Sequence, residues 1–170
     1  TLTSSLNPAA YGNAVTFNAT VTSVDPGAGT PTGSITFLDG ASTVATVPVD
    51  SAGHASWTSP VYWTLGTHAM QASFVGTNSF VNSHADLSQV VMGLTYTSLS
   101  LSPYTTTYGQ TLSMTAHISA SNSGAGTPTG SVTFYDGSHA LGTVPVVAGA
   151  ASFSTSALLP GSHSIGAYFI

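Results

Sequence analysis

The sequence predicts an all-β protein built from two similar sandwich domains in tandem. A fourteen-residue stretch that begins at Gly27 returns almost unchanged from Gly124, 97 residues later. Polar and apolar residues alternate with period two through most of the chain, which is typical of strands with one buried face. A repeat near 100 residues is too long for a solenoid unit but fits one small β-domain.

The first strands follow the same order in both halves. One strand has inward residues at Val15, Phe17, Ala19 and Val21, with counterparts at Leu112, Met114, Ala116 and Ile118. A second strand carries Ile35 and Phe37, with counterparts at Val132 and Phe134. It ends in Asp-Gly, at Asp39-Gly40 and Asp136-Gly137, a dipeptide favoured in tight hairpin turns.

The later strands complete a two-sheet sandwich of about seven strands per unit. The runs Thr43 to Val49 and Ala140 to Val146 contain Pro48 and Pro145, which predicts edge strands because proline cannot donate to a ladder. Strands follow around Ala55 and Trp57 (Ala151 and Phe153 in the second unit), and from Gly66 to Phe74 (Gly161 to Phe169).

Composition excludes several classes of function. The 170 residues include no Lys, no Arg and no Glu, and the five acidic residues are all Asp. Without Lys or Arg, the chain lacks the cations that bind nucleic-acid phosphates or anionic lipid headgroups. No apolar run reaches the roughly 18 residues of a membrane span, so we expect no membrane insertion. The net charge of −5 gives only weak repulsion between copies.

Both units resemble the bacterial Ig-like repeat. The resemblance is carried by Gly-Thr-Pro-Thr-Gly-Ser-(Ile/Val)-Thr-Phe-x-Asp-Gly, by Tyr11-Gly12 and Tyr108-Gly109, and by Gly66-Thr67-His68. It implies two immunoglobulin-like sandwiches, residues 1–92 and 93–170, joined by a short linker near Met92-Gly93-Leu94. It also implies an extracellular stalk, spacer or adhesive module without catalysis or a cofactor.

The second unit departs from this pattern at its end. The first unit has a last strand near Asp86 to Met92, whereas Phe169 is followed only by Ile170. The second sandwich is therefore expected to have an open edge, along Gly161, His163, Ile165, Ala167 and Phe169. Two explanations stay open: the chain is a piece of a longer array, or a neighbouring copy or repeat donates the strand by β-strand addition.

Candidate chemical sites are few. The six histidines show no His-x-His or His-x₃-His spacing and the Asp residues are scattered, so no metal site is expected. His68 and His163 occupy the same repeat position, which indicates a structural hydrogen bond near one end of each sandwich. No Gly-x-Ser-x-Gly motif occurs, and we expect no enzyme.

Two surface features carry alternative interpretations. Tyr62 and Trp63, aligned here with Leu158 and Leu159, either pack under a loop, contact another subunit or bind a glycan. Asn18-Ala19-Thr20 fits the pattern of N-glycosylation, a pattern that is common by chance in a Thr-rich chain.

The sequence thus favours a non-enzymatic structural component of a bacterial extracellular surface structure or filament. Its expected partners are copies of itself or neighbouring repeats of the same chain. The alternative is an adhesive or carbohydrate-binding stalk module of a large surface protein.

Overall fold

The structure, a computed structural model, describes residues 1–24, 29–76, 80–122 and 125–170. These ranges contain β-strands and no helix, and therefore no helix that could cross a bilayer. The chain divides into two compact units, Thr1–Met92 and Gly93–Ile170. Gly27, Ala28 and Gly124, at the start of the repeated motif, and 77–79 lie outside the described residues.

Unit 1 is a sandwich of two sheets. Its strands are β1 (Leu2–Ser4), β2 (Ala9–Ala10), β3 (Thr16–Thr20), β4 (Ser34–Asp39), β5 (Ser42–Pro48), β6 (His54–Thr58), β7 (Gly66–Phe74) and β8 (Ser83–Met92). One sheet has the order β1-β3-β6 and the other β2-β8-β7-β4-β5. All pairs are antiparallel except β2 with β8, which is parallel.

Unit 2 repeats this plan with fewer described strands. They are β9 (Thr95–Ser102), β10 (Leu112–Ala120), β11 (Ser131–Asp136), β12 (His139–Pro145), β13 (Ala150–Thr155) and β14 (Ile165–Phe169). The two sheets have the orders β13-β10-β9 and β12-β11-β14. Residues 93–122 and 125–170 contain no counterpart of β2 or β8.

The period-two pattern forms the two cores. Val15 and Phe17 in unit 1, and Met114 and Phe134 in unit 2, have no exposed surface. The alternation was therefore interpreted correctly, except that Val15 and Val21 lie outside β3 and Val21 is only half-buried. Because the chain has no Lys or Arg, these apolar faces and the backbone ladders supply its cohesion.

The two strands predicted from their prolines to lie at sheet edges, β5 and β12, do so. Among the strands that the structure describes, β5 pairs only with β4 and β12 only with β11, and each strand ends at its proline, Pro48 or Pro145.

The hairpin turns are shifted by one residue from the prediction. Asp39 pairs with Ser42 as the last residue of β4, so the two loop residues are Gly40 and Ala41. Gly40 has a φ of 56°, which suits a two-residue turn with glycine first. The same holds for Asp136, which pairs with His139. Both aspartates are therefore the last residues of strands rather than turn residues, and their side chains are not used in the turn.

A buried glutamine connects the two sheets of unit 1. Gln89 on β8 has no exposed surface. Its amide oxygen accepts a hydrogen bond from the Ser4 hydroxyl at 2.6 Å, and its amide nitrogen donates to the Leu6 carbonyl at 2.8 Å. Hydrogen bonds to both sheets thus satisfy this buried polar side chain.

Candidate functional site

The predicted open edge corresponds to β14, but it is shorter than expected. Gly161 and His163 lie before the strand, which begins at Ile165. The reason is the pairing partner: in unit 1, residues 66–69 of β7 pair only with β8, whereas β4 pairs with β7 from Met70 onward. Among the described residues of unit 2, β14 pairs only with β11, from Ile165 to Phe169, and its bounds follow that partner.

The backbone groups of β14 alternate between paired and outward-facing. Ser131 and Ile170 exchange both hydrogen bonds, and Gly137 N–H donates to the Ser164 carbonyl. By the alternation of an antiparallel ladder, Gly166 and Tyr168 therefore bond to β11. The N–H and C=O groups of Ile165, Ala167 and Phe169 face away from β11. They form an edge able to accept a further strand.

The inner side chains of this edge are less buried than their counterparts in unit 1. Met70, Ala72 and Phe74 on β7 are 1%, 5% and 3% exposed. The equivalent residues are identified by their register with the preceding strand, and they are Ile165, Ala167 and Phe169. All three are only half-buried. In unit 1 the neighbouring strand β8 helps to cover the inner side chains of β7. The described part of unit 2 has no such strand, which accounts for the greater exposure of the inner side chains of β14.

His163 makes the structural hydrogen bond that its repeat position predicts. Its Nδ1 lies 2.6 Å from Asp136 Oδ2, and its Nε2 lies 2.7 Å from the Leu159 carbonyl oxygen. Both ring nitrogens face acceptors, and both can donate only when the ring is protonated. The hydrogen bond to Leu159 and then that to Asp136 raise the pKa of His163 above its ordinary value.

The same arrangement recurs in unit 1. His68 Nδ1 lies 2.6 Å from Asp39 Oδ2, and Nε2 lies 2.8 Å from the Thr64 carbonyl oxygen. The His68 side chain is 8% exposed, whereas that of His163 is 24% exposed. In each unit the histidine connects the aspartate at the end of one strand, β4 or β11, to a carbonyl in the loop that precedes the strand paired with it, β7 or β14. We call this arrangement the His–Asp latch.

The aspartates of the latch were missed by the sequence analysis, which placed them in turns. A signal was available, because Asp39 and His68 both recur in the second unit, as Asp136 and His163. In the parts of the chain that the structure describes, no three His or Asp side chains cluster as a metal site would require. Each latch is a pair that holds a loop.

Tyr62 and Trp63 have different environments. Trp63 is partly buried against the core, where it meets Phe17 edge-on and stacks on the His68 ring at a centroid distance of 3.9 Å. Trp63 thus packs against the core of unit 1. Tyr62 is 73% exposed and lies 5.6 Å from the Tyr11 ring. An interface or glycan role stays a prediction for Tyr62 and Trp63.

The repeat alignment of this segment needs a correction of one residue. Because the Thr64 and Leu159 carbonyls bind equivalent histidines, Trp63 corresponds to Leu158 and Tyr62 to Ala157. Leu158 packs against the second core as Trp63 packs against the first. The aligned pair Trp63 and Leu159 was wrong because the loop length differs between the units.

Asn18 lies in the middle of β3, opposite Thr3 and Ser56, and is exposed to solvent. Its backbone carbonyl accepts a hydrogen bond from the Thr3 hydroxyl. The side chain is accessible from the outer face of the sheet, and its glycosylation stays a prediction.

Comparison with known proteins gives one family. The sequence pattern described as bacterial Ig-like domain (group 3) matches residues 2–92 and 99–170. No curated protein matches the chain.

Several solved structures are similar at low identity. The fibronectin(III)-like modules of Clostridium thermocellum CbhA are 17% identical over 99% of this chain and 86% of theirs, with a TM-score of 0.47. The D0-D1 domain of intimin is 17% identical over 99% of this chain and 90% of its own, with a TM-score of 0.39. The titin domains z1z2 in complex with telethonin are 14% identical, over 98% and 93%, with a TM-score of 0.39. On the family match, which covers nearly all of both units, the chain belongs to the bacterial Ig-like domain family (group 3).

Proposed function

We propose that this protein is a non-enzymatic structural component of a bacterial extracellular surface structure or filament. Its units associate by β-strand addition, in which a copy or neighbouring repeat supplies a strand to the edge of β14. Domains of this family are typical of surface proteins. The observation that carries the proposal is the half-buried inner face of β14, beside outward-facing backbone groups.

Unit 1 supplies the pattern for the added strand. On β8, Leu87 lies opposite Met70 and Ala85 lies opposite Ala72. A strand of this pattern, antiparallel to β14, would place a large apolar residue at Ile165 and a small one at Ala167. Main-chain hydrogen bonds would supply affinity and the alternate side chains would supply register.

The charge of the chain supports association between copies. With no Lys or Arg and a net charge of −5, the edge of β14 carries no lysine of the kind that often blunts exposed strands. The opposite edge of that sheet is different, because β12 ends in Pro145. Association is therefore expected at β14 rather than at β12.

The experiment is sedimentation velocity of the full chain over a range of concentrations, with negative-stain electron microscopy of the heavier fractions. Ala167→Pro removes an outward N–H from β14 and leaves the bonds to β11 in place. Thr143→Pro is the matched control on the opposite edge, because Thr143 pairs with Thr133, whose N–H faces β14.

We expect the wild type and Thr143→Pro to form elongated assemblies and Ala167→Pro to remain monomeric. Circular dichroism checks that both variants keep their β structure. A wild type that stays monomeric at every concentration, or assemblies unaffected by Ala167→Pro, would refute the proposal.

An adhesive or carbohydrate-binding stalk module is the second candidate function. The observation that favours it is a pair of tyrosines on the outer face of unit 2, at Tyr135 and Tyr168.

A further inference from the structure

The outer face of the β11-β14 ladder carries an aromatic groove. Tyr135 lies directly opposite Gly166, and Tyr168 is two residues further along β14. Residues opposite each other, and residues two apart on one strand, point to the same face. Tyr168 is 63% exposed. With Gly137, Ser138 and Ala167, these residues line an open groove of about 480 Å³, a volume in the range of small-ligand sites.

Unit 1 shows that the fold does not require this groove. At the equivalent register, Leu38 lies opposite Gln71, and Ser73 takes the place of Tyr168. The Gln71 amide donates a hydrogen bond to Asp86 on β8 at 2.8 Å across this face. The same ladder therefore forms with one apolar and two small or polar side chains. The two tyrosines are particular to unit 2.

Gly166 has no structural explanation in the described chain. Its φ is not positive, so the backbone conformation is open to any residue. A Cβ built at Gly166 would meet no atom within 4 Å, so packing does not demand glycine either. Glycine weakens a strand interior and often marks a place where a ligand approaches closely. Here the absence of a side chain at Gly166 leaves open space beside Tyr135.

The chemistry of the groove points to an uncharged ligand. The chain has no Lys or Arg to bind an anion. The carboxylate of Asp136, the residue after Tyr135, accepts hydrogen bonds from His163 and from the Ser164 N–H. What remains are two phenol rings with polar tips and the Ser138 hydroxyl. Such a surface suits a ligand with one apolar face and a rim of hydroxyl groups.

We propose that this groove binds a neutral glycan, with a sugar ring stacked on Tyr168 and a second contact at Tyr135. The apolar C–H face of an uncharged pyranose lies on the phenol ring, and its hydroxyls reach the tyrosine and serine oxygens. Gly166 provides the clearance for the ring. The site is separate from the backbone edge of β14 and does not depend on strand addition.

The test is affinity electrophoresis of the full chain in gels containing a soluble neutral glucan, xylan or mannan. Retardation by at least one of the three is expected. Tyr168→Ala should weaken it about tenfold, since a stacked ring is removed. Gly166→Val should weaken it by blocking the groove while favouring the strand. Tyr104→Ala is the matched control, because Tyr104 is 86% exposed and lies outside the groove.

Three results would overturn the proposal. The first would be a wild type that shows no retardation by any of the three polysaccharides. The second would be binding by Tyr168→Ala and Gly166→Val equal to that of the wild type, with β structure confirmed by circular dichroism. The third would be a loss of binding in Tyr104→Ala as strong as that in Tyr168→Ala. A further overturning result is saturable binding of a proline-rich peptide, the other ligand of aromatic grooves, without any binding of glycan.

Discussion

Replacing Asp39 with alanine should destabilise unit 1 through the latch. The Asp39 carboxylate lies 2.6 Å from His68 Nδ1, and the His68 side chain is 8% exposed. A hydrogen bond to a charged group contributes about 1.5–3 kcal/mol to stability, and a buried ring nitrogen left without its partner adds to the loss. We therefore expect Asp39→Ala to lower the free energy of unfolding by about 2–3 kcal/mol. For a domain of this size, the midpoint of thermal unfolding should fall by about 10–20 °C.

Tryptophan fluorescence isolates the effect on unit 1. Both tryptophans of the chain, Trp57 and Trp63, lie in that unit, and Trp63 stacks on His68. Urea unfolding of the full chain followed by this signal measures the stability of unit 1 directly. The control is Asp86→Ala, because the Asp86 side chain is 66% exposed and an exposed pair contributes about 0–1 kcal/mol. If Asp39→Ala lost no more stability than Asp86→Ala, the latch would have no structural role.

Three further outcomes are expected from the same structure. Trp63→Leu, which copies Leu158 of the second unit, should lower the stability of unit 1 by about 1–3 kcal/mol in urea, while the exposed Tyr62→Leu changes it by less than about 0.5 kcal/mol. Equal losses in both variants would contradict the burial assigned to Trp63. Gln89→Ala should lower the free energy of unfolding by about 2–4 kcal/mol, because the Ser4 hydroxyl and the Leu6 carbonyl lose a buried partner. A loss no larger than that caused by Gln71→Ala would contradict a stabilising role for the buried Gln89. The His163 ring should titrate by NMR with a midpoint above its ordinary value, and Asp136→Asn should move the midpoint back. Because the pKa of His163 is raised in the folded state, the stabilisation of unit 2 by its protonated ring is complete below the unfolded pKa and is lost as pH rises through the folded pKa. A titration midpoint at or below the ordinary value would contradict a stabilising role for the protonated ring.

The sequence alone predicted the class of fold and the two cores. The alternation through Val15 and Phe17, and its repetition at Leu112 and Met114, depends only on neighbouring residues, since one face of a strand must be apolar to be buried. The edge position of β5 also follows from a local property, the missing N–H of Pro48. The all-β tandem arrangement could therefore be read directly from local patterns.

The tertiary structure decided which distant residues meet. Asp39 and His68 are 29 positions apart, and only the register of β4 with β7 brings the carboxylate to the ring. Trp63 and Tyr62 are adjacent and both aromatic, yet Trp63 is stacked on His68 and packs against the core, whereas Tyr62 is exposed. The length of β14 likewise depends on the strand beside it. Local sequence determines what each strand buries, but long-range pairing determines which side chains it meets.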